Sequence, residues 1–186
     1  MVYFLYIARF LPLLTGSGFN WGVWAVICAF SGHRPWRLPW GSREDAPECL
    51  AVKQLMRQYI DRLAAGGYQH FMCGMALGAD LYFAQTVLDC KRTAPSLTLQ
   101  AVLPHAEQDA RWDEEWKARY HALLAQCDSI ITLQPEYSQQ SYLARNRYLV
   151  DHSDLLMTLY DGGEGGTAYT VRYAIQQGRK ILSLWL

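Results

Sequence analysis

A glycine-rich stretch near the carboxyl terminus has the residue types that bind phosphate. Residues 161–167 read Asp-Gly-Gly-Glu-Gly-Gly-Thr. Glycine permits positive φ and lets backbone N–H groups approach a ligand without interference from a side chain. Thr167 is predicted to open a helix, whose unpaired N–H groups and partial positive charge favour an anion. A tight turn with a threonine cap needs only one or two glycines. We therefore predict that a phosphate is held by Gly162, Gly163, Gly165, Gly166 and Thr167.

Two further loops add charged and glycine residues. Ser-Gly-His-Arg-Pro (31–35) places Gly32 and Arg34 after an apolar run. A guanidinium binds phosphate or carboxylate through paired hydrogen bonds, and Arg34 could equally form an ion pair with Asp80. In Gly-Met-Ala-Leu-Gly-Ala-Asp (74–80), Gly74 and Gly78 bracket a turn that leads into a helix. This segment matches neither the G-x-G-x-x-G fingerprint nor the Walker A loop, which disfavours a typical NAD-dependent dehydrogenase or ATPase.

A third charged motif, Arg145-Asn146-Arg147, lies on a predicted helix. Residues two apart do not share a helix face, so we expect only one of the two arginines to face the ligand. No spacing of His, Cys and carboxylate residues suggests a metal site. The odd number of cysteines and the absence of a C-x-x-C pair favour neither a disulfide framework nor zinc, which is typical of a reduced, cytoplasmic protein. These cysteines are Cys28, Cys49, Cys73, Cys90 and Cys127.

Composition limits the classes of function. The 186 residues are 51% hydrophobic and 18% charged, enough for the core of one domain, which excludes a disordered or fibrous protein. Seventeen basic residues balance seventeen acidic ones, giving a formal net charge of zero. That balance argues against a protein that coats nucleic acid or a membrane through bulk positive charge.

Apolar runs alternate with stretches of helical periodicity. The runs predict buried strands and the periodic stretches predict amphipathic helices. The predicted strands are 23–30, 68–73, 97–103, 129–133, 155–160 and 180–185. The predicted helices are 47–65, 80–91, 112–126, 142–150 and 167–177. This alternation predicts an α/β fold: a Rossmann-like three-layer α/β/α sandwich with a mostly parallel sheet of about six strands. Ligands of such sheets bind outside the carboxyl ends of the strands, where the loops described above are expected.

Residues 1–22 precede the first predicted strand, and Arg9 is the only charged residue before position 31. A secretory signal fits poorly because Arg9 and Pro12 interrupt the apolar stretch. A membrane-spanning helix over 10–30 is a second interpretation, although proline and several glycines punctuate it. We favour an N-terminal extension over 1–22, followed by a single domain over 23–186 that has no membrane role.

Four motifs together resemble the YpsA-like family of uncharacterised bacterial proteins, over nearly all of 23–186. They are Ser-Gly-His-Arg-Pro, Cys-Gly-Met-Ala-Leu-Gly-Ala-Asp-Leu-Tyr-Phe-Ala, Arg-Asn-Arg-Tyr-Leu-Val-Asp-His-Ser-Asp and Tyr-Asp-Gly-Gly-Glu-Gly-Gly-Thr. That family is similar to the SLOG superfamily of Rossmann-like domains. The superfamily includes the DNA-processing protein DprA and the LOG-type nucleotide phosphoribohydrolases.

The resemblance to the phosphoribohydrolases implies phosphate binding and leaves catalysis open. In those enzymes a Pro-Gly-Gly-x-Gly-Thr loop precedes a glutamate that acts in cleavage of the N-glycosidic bond. Thr170 stands at that position here, so Glu164 and Asp161 are the candidates for a substitute catalytic carboxylate.

The resemblance to DprA implies binding of single-stranded DNA. It rests on Ala-Arg-Asn-Arg (144–147) and on the segments 167–168 and 177–179. The zero net charge disfavours it, because binding a polyanion relies on several contacts between basic residues and phosphates. A small basic and aromatic patch keeps it as an alternative. That patch comprises Arg34, Arg37, Arg43, Arg145 and Arg147 with Trp36 and Trp40.

The leading hypothesis is a cytoplasmic module that binds a nucleotide or nucleotide derivative, such as AMP, ADP-ribose or NAD. Arg34 and one of Arg145 or Arg147 would neutralise the phosphate. Asp80 or Asp161 would accept hydrogen bonds from a ribose or from the loops, and Trp36 and Trp40 would stack on a base. The alternatives are N-glycosidic hydrolysis of a nucleoside monophosphate and DprA-like DNA binding. A homodimer is compatible with the sequence but not required by it.

Overall fold

The computed structural model describes residues 26–184, so the predicted extension over 1–22 lies outside the described residues. Six strands occur in this range: β1 Val26–Gly32, β2 Tyr68–Cys73, β3 Thr98–Leu103, β4 Ser129–Thr132, β5 Leu155–Leu159 and β6 Lys180–Leu184. Five α-helices alternate with them: α1 Pro47–Ala65, α2 Ala79–Lys91, α3 Glu114–Leu124, α4 Ser141–Asp151 and α5 Gly166–Gln176. A short 3₁₀ turn, Pro35–Arg37, follows β1.

The strands form one parallel sheet with the order β4-β3-β2-β1-β5-β6. One apolar core joins one face of the sheet to α1, α2 and α3, and a second joins the other face to α4 and α5. The predicted Rossmann-like three-layer α/β/α sandwich is therefore confirmed. All five residues of β5 are buried, as expected for a strand covered on both faces.

Local sequence signals explain the element boundaries. Helix α1 begins at Pro47, whose missing N–H is not needed in the first turn, and it ends at Ala65, followed by the cap residue Gly66 and by Gly67 with φ +95°. Its buried residues Cys49, Val52, Met56 and Ile60 follow helical spacing. Helix α3 begins at Glu114 rather than at residue 112, because Asp113 is still extended with ψ 151°. Trp112 therefore belongs to the loop that precedes α3.

The order of the strands reverses direction at β1. From β1 the chain moves through β2 and β3 to β4 on one side, and β5 and β6 are added on the other side. In parallel α/β sheets the crevice outside such a reversal is the usual ligand site. The loops that follow β1 and β5 meet at this crevice. Within residues 26–184, the helices are too short or too polar to cross a membrane.

Candidate ligand site at the carboxyl edge of the sheet

Gly32, the last residue of β1, joins the amino termini of two helices on opposite faces of the sheet. Its N–H donates to Asp80 Oδ1 in the first turn of α2, at 3.2 Å. Its carbonyl accepts from Thr167 Oγ1 in the first turn of α5, also at 3.2 Å. A Cβ at this position would lie 2.6 Å from the Cβ of Ala79, so only glycine allows this approach. Both helix termini are thus fixed beside the end of β1.

Asp80 and Arg145 form an ion pair in the interior of the site. The two side chains are 3% and 7% exposed, and Arg145 Nη1 lies 3.3 Å from Asp80 Oδ2. The same Oδ2 accepts from Ala76 N at 3.2 Å. Burial raises the pKa of Asp80, and the positive charges of Arg145 and Arg34 oppose that shift. The carboxylate is therefore fully engaged inside the protein.

Gly74 makes room for that guanidinium. A Cβ built on Gly74 would lie 1.0 Å from Arg145 Nη1 and 2.2 Å from Cζ, so the arginine occupies the space of a missing side chain. Gly78 has φ +99°, and a Cβ there would lie 2.8 Å from the carbonyl oxygen of His33. The glycines of this turn are thus required by packing within the protein.

The turn between these glycines is strained. Met75 has φ +51° and is the one non-glycine residue in the described range with a positive φ. This fully buried side chain follows the carboxyl end of β2. Left-handed conformations of ordinary residues are uncommon and concentrate at functional sites.

Arg34 lies in the crevice without an acidic partner. Its guanidinium is 5.9 Å from the ring centroid of Tyr142, and within residues 26–184 no carboxylate oxygen approaches it within 4.0 Å. Burial lowers the pKa of Arg34 and the charge of Arg145 lowers it further, while Asp80 acts in the opposite direction. The sequence allowed an ion pair between Arg34 and Asp80, but Asp80 pairs with Arg145 instead. Arg34 is therefore a half-buried cation next to a second cation.

The glycine-rich loop after β5 is held by residues of the loop after β1. Gly162 and Gly165 have φ +86° and +142°, conformations that favour glycine. Arg37 Nη1 donates to the carbonyl of Glu164 at 2.8 Å, and its Nη2 lies 3.3 Å from Asp161 Oδ2. The sequence analysis did not predict that Arg37 contacts the phosphate loop. Only the position of Arg37 in the basic loop after β1 could have indicated this contact.

Asp161 organises this loop. Its Oδ1 accepts from Gly163 N at 2.8 Å and lies 2.8 Å from Nε2 of the buried His33. These contacts, together with Arg37, lower the pKa of Asp161 to about 2. A carboxylate this acidic is a poor general base at neutral pH.

The first turn of α5 is fixed from two sides. Asn146 Nδ2 and Thr170 Oγ1 both donate to the carbonyl of Gly166, at 3.3 and 2.9 Å. Thr170 is fully buried, and its hydroxyl is bonded to the helix backbone. The Glu164 side chain is 88% exposed and pairs with Arg172 at 3.2 Å. Apart from its position between two arginines, nothing in the sequence indicated that Asn146 would bond to the first turn of α5.

Helix α4 directs its two arginines to different places. Arg145 reaches Asp80 in the interior. Arg147 is exposed, with Nε 2.5 Å from Tyr169 Oη and its guanidinium 5.8 Å from the centroid of that ring. Arg147 therefore lies on the outer surface between α4 and α5, and not with Arg34 and Arg145.

An aromatic cleft of about 480 Å³ adjoins Arg34. Trp36, which is 73% exposed, lines it together with the half-buried Trp112 and Trp116. The prediction that Trp40 stacks on a ligand is wrong, because Trp40 is 3% exposed and packs in the core that includes α1 residues. Trp112, in the loop before α3, and Trp116, in α3, pack against the core and also form a wall of this cleft.

The family profile of the YspA SLOG family (YpsA) matches residues 28–182. The sequence is 28% identical over 151 residues to a UPF0398 protein of Bacillus pumilus, covering 80% of this chain and 81% of that protein. It is 27% identical over 143 residues to the UPF0398 protein YpsA of Bacillus subtilis, covering 76% and 79%. A UPF0398 protein of Halalkalibacterium halodurans is 32% identical over 118 residues, covering 62% of each chain.

Two solved structures of DNA processing protein A share the fold. The Helicobacter pylori protein, described with its binding mode for single-stranded DNA, has a TM-score of 0.57 at 18% identity. The Streptococcus pneumoniae protein has a TM-score of 0.57 at 15% identity. These matches cover 85% and 86% of this chain but only 64% and 50% of the two DprA chains.

Proposed function

Since this chain belongs to the YspA SLOG family, we propose that it is a nucleotide-binding module of the Rossmann-like type. Its ligand is a nucleotide or nucleotide derivative such as AMP, ADP-ribose or NAD. The phosphate binds in the crevice between the ends of β1 and β5, against Arg34, the 162–167 loop and the amino terminus of α5.

The observation that carries this proposal is the pair of neighbouring guanidinium groups of Arg34 and Arg145. Asp80 neutralises Arg145, and Arg34 has no carboxylate within 4.0 Å in the described range. Burial and the like charge of Arg145 both disfavour the charged form of Arg34. A phosphate beside Arg34 converts this repulsion into charge-assisted hydrogen bonds.

The backbone contributes the remaining donors. The first backbone hydrogen bond of α5 runs from Tyr169 N to Gly165 O. The amides of the helix that precede Tyr169 are therefore available to an anion. The Thr167 hydroxyl is already donated to Gly32, so Thr167 would bind phosphate through its backbone N–H. Gly32, Gly74 and Gly78 would shape the crevice rather than contact the ligand.

The aromatic cleft suits the base of the same nucleotide. Arg34 lines this cleft, so a phosphate bound to its guanidinium is adjacent to Trp36, Trp112 and Trp116. Bases stack on aromatic side chains with a gain of about 1–3 kcal/mol per base. Trp36 is the exposed member of the three and takes the stacking role that the sequence suggested for the first loop.

Binding is favoured over N-glycosidic hydrolysis. The position of the phosphoribohydrolase glutamate is the buried Thr170, and the two substitute candidates have other partners. Asp161 is strongly acidic and bonded to the loop, and Glu164 is exposed and paired with Arg172. The lowered pKa of Asp161 does not suit a catalytic acid near neutral pH.

Calorimetric titration with AMP, ADP, ADP-ribose and NAD at fixed ionic strength tests the proposal. Arg34→Gln removes the unpaired cation, and because hydrogen bonds to charged groups are worth about 1.5–3 kcal/mol, affinity should fall about 10- to 100-fold. Arg92→Gln is the matched control, because Arg92 is 73% exposed and follows α2 at the opposite edge of the sheet. Its affinity should equal that of the wild type.

A second variant pair tests the terminus of α5 without disturbing the fold. The nearest heavy atom to a Cβ built on Gly166 is Asn146 Nδ2 at 3.9 Å, so the Cβ of Gly166→Asp and Gly166→Asn meets no clash. An aspartate at a helix amino terminus stabilises the helix but repels phosphate, whereas asparagine is neutral. Loss of binding in both variants, or in neither, would contradict an anion at this terminus. Binding of a single-stranded oligonucleotide alone, with a steep dependence on salt, would favour the DprA-like alternative.

A further inference from the structure

We propose that the carboxyl end of β3 forms a second subsite, built on His105, so that the ligand carries two ring-bearing groups joined through phosphate. This inference rests on the proposed function, because it places the second ring group next to the phosphate at Arg34. The chemical class is therefore a dinucleotide, two nucleosides bridged by phosphate, rather than a mononucleotide.

His105 is buried with both of its ring nitrogens unpaired in the described range. It follows Pro104 at the end of β3 and is 5% exposed, yet neither Nδ1 nor Nε2 has a hydrogen-bond partner within residues 26–184. A neutral imidazole carries one donor and one acceptor. Buried polar groups without partners are rare and costly in folded proteins. A ligand that offers both a donor and an acceptor satisfies both nitrogens, and the edge of a nucleobase or a carboxamide does so.

Aromatic rings surround this imidazole. Tyr137 and Tyr142 approach it edge to face, with ring centroids 5.5 and 5.7 Å away. Tyr137 is 64% exposed, so the ring that packs against His105 also faces solvent. A second planar group that displaces Tyr137 would contact the imidazole and could stack on the Tyr137 ring.

Tyr142 connects the subsite to the phosphate position. The Arg34 guanidinium lies 5.9 Å from the Tyr142 centroid, and the His105 ring lies 5.7 Å from it. Arg34 also lines the tryptophan cleft. The guanidinium therefore stands between two aromatic walls, one formed by tryptophans and the other by Tyr142 and Tyr137. A bridging phosphate at Arg34 places one ring group on each wall.

A second unpaired polar atom supports the same placement. Gln108 is 5% exposed, and its Nε2 donates to the carbonyls of Gly74 and Met75 and to Tyr120 Oη. Its Oε1 has no partner in the described range. Gln108 bonds the carbonyl of Gly74, and the Arg145 guanidinium occupies the space beside Gly74, so the Gln108 amide group lies near the arginine pair. It can accept from an amino or hydroxyl group of the ligand.

The test compares AMP with NAD and with the dinucleotide pApA in the wild type and in His105→Phe. Phenylalanine keeps the ring packing but cannot form hydrogen bonds. We expect NAD or pApA to bind the wild type at least about tenfold more tightly than AMP, and His105→Phe to abolish this difference while AMP affinity stays unchanged. His105→Phe should also raise the thermal unfolding midpoint of the ligand-free protein, because it removes two unsatisfied buried nitrogens. Substitution of a residue needed only for structure would not remove the preference for two-ring ligands while it preserved AMP affinity and raised the unfolding midpoint.

His152→Phe is the matched control, since His152 stacks on Tyr148 at the far end of α4. It should leave both affinities at the wild-type value. Equal affinity of the wild type for AMP and the two-ring ligands, or unchanged NAD and pApA binding in His105→Phe, overturns the second subsite while the proposed function stands. Absence of any binding that depends on Arg34 overturns the proposed function, and the subsite with it. If the protein prefers pApA to NAD and binds longer oligonucleotides more tightly, the two-ring ligand is part of a nucleic acid strand.

Discussion

Replacement of Gly74 by alanine should destabilise the protein far more than a single methyl group normally does. Gly74 does not have a positive φ, so the backbone itself accepts alanine. The obstacle is Arg145, whose Nη1 lies 1.0 Å from the position of the new Cβ. The guanidinium must leave, and Asp80 then keeps only the N–H groups of Gly32 and Ala76.

The magnitude follows from the burial of the ion pair. Asp80 and Arg145 are 3% and 7% exposed, and removal of one partner from a buried pair costs about 3–5 kcal/mol. For a domain of this size each kcal/mol lowers the unfolding midpoint by about 2–4 °C. We therefore expect Gly74→Ala to unfold about 6–20 °C below the wild type. Gly166→Ala is the control, since the nearest neighbour of a Cβ there, Asn146 Nδ2, is at an ordinary contact distance of 3.9 Å.

A double-mutant cycle with Arg145→Ala isolates the cause. Once the guanidinium is absent, the methyl group of Gly74→Ala should cost less than about 1 kcal/mol, so the two changes should be strongly non-additive in urea unfolding. Additive costs within about 0.5 kcal/mol would refute the reasoning. A loss in Gly74→Ala no larger than in Gly166→Ala would refute it as well.

Three further expectations concern charge and thiols. The folded pKa of Asp161 is about 2, below its usual 3.8, so Asp161 stabilises the protein above pH 4 and this contribution is lost as pH falls towards 2. The stability difference between wild type and Asp161→Asn should therefore shrink over that range in urea titrations, and a constant difference would contradict the assignment. Arg147→Gln should leave the unfolding midpoint and the nucleotide affinity nearly unchanged, because its contacts lie on the outer surface; a loss of affinity in titration would place Arg147 in the site. All five cysteines have raised pKa values because of burial, including Cys127 at about 11. A thiol reagent at pH 8 should therefore label the native protein slowly and the unfolded protein at once, and rapid native labelling would disprove this.

The secondary structure could be predicted where local signals decide it. The bounds predicted for residues 47–65 and 68–73 match α1 and β2, because Pro47 and the Gly66-Gly67 pair act within the segment itself. The meeting of the loops after β1 and β5 also follows from local patterns, since parallel strands bring their carboxyl ends to one edge.

Side-chain partners could not be predicted in the same way. Asp80 had several possible arginine partners in the sequence, and packing selects Arg145, which is 65 residues away. The role of Gly74 depends on that choice, so a glycine that looked suited to a ligand instead accommodates an arginine. Trp40 was expected to stack on a base because it lies in the loop after β1, but it packs in the core together with residues of α1. His105 follows a proline without any motif around it, and only its tertiary surroundings make it notable.

Gly32 makes the two faces of the sheet mechanically dependent on each other. Its amide is held by the first turn of α2 and its carbonyl by the first turn of α5. A side chain at position 32 would meet Ala79 of α2, because a Cβ there would lie 2.6 Å from the Ala79 Cβ. Any shift of β1 that relieves this clash would also move the carbonyl that accepts from Thr167. A substitution at this one position should therefore disturb the helix layers on both faces of the sheet.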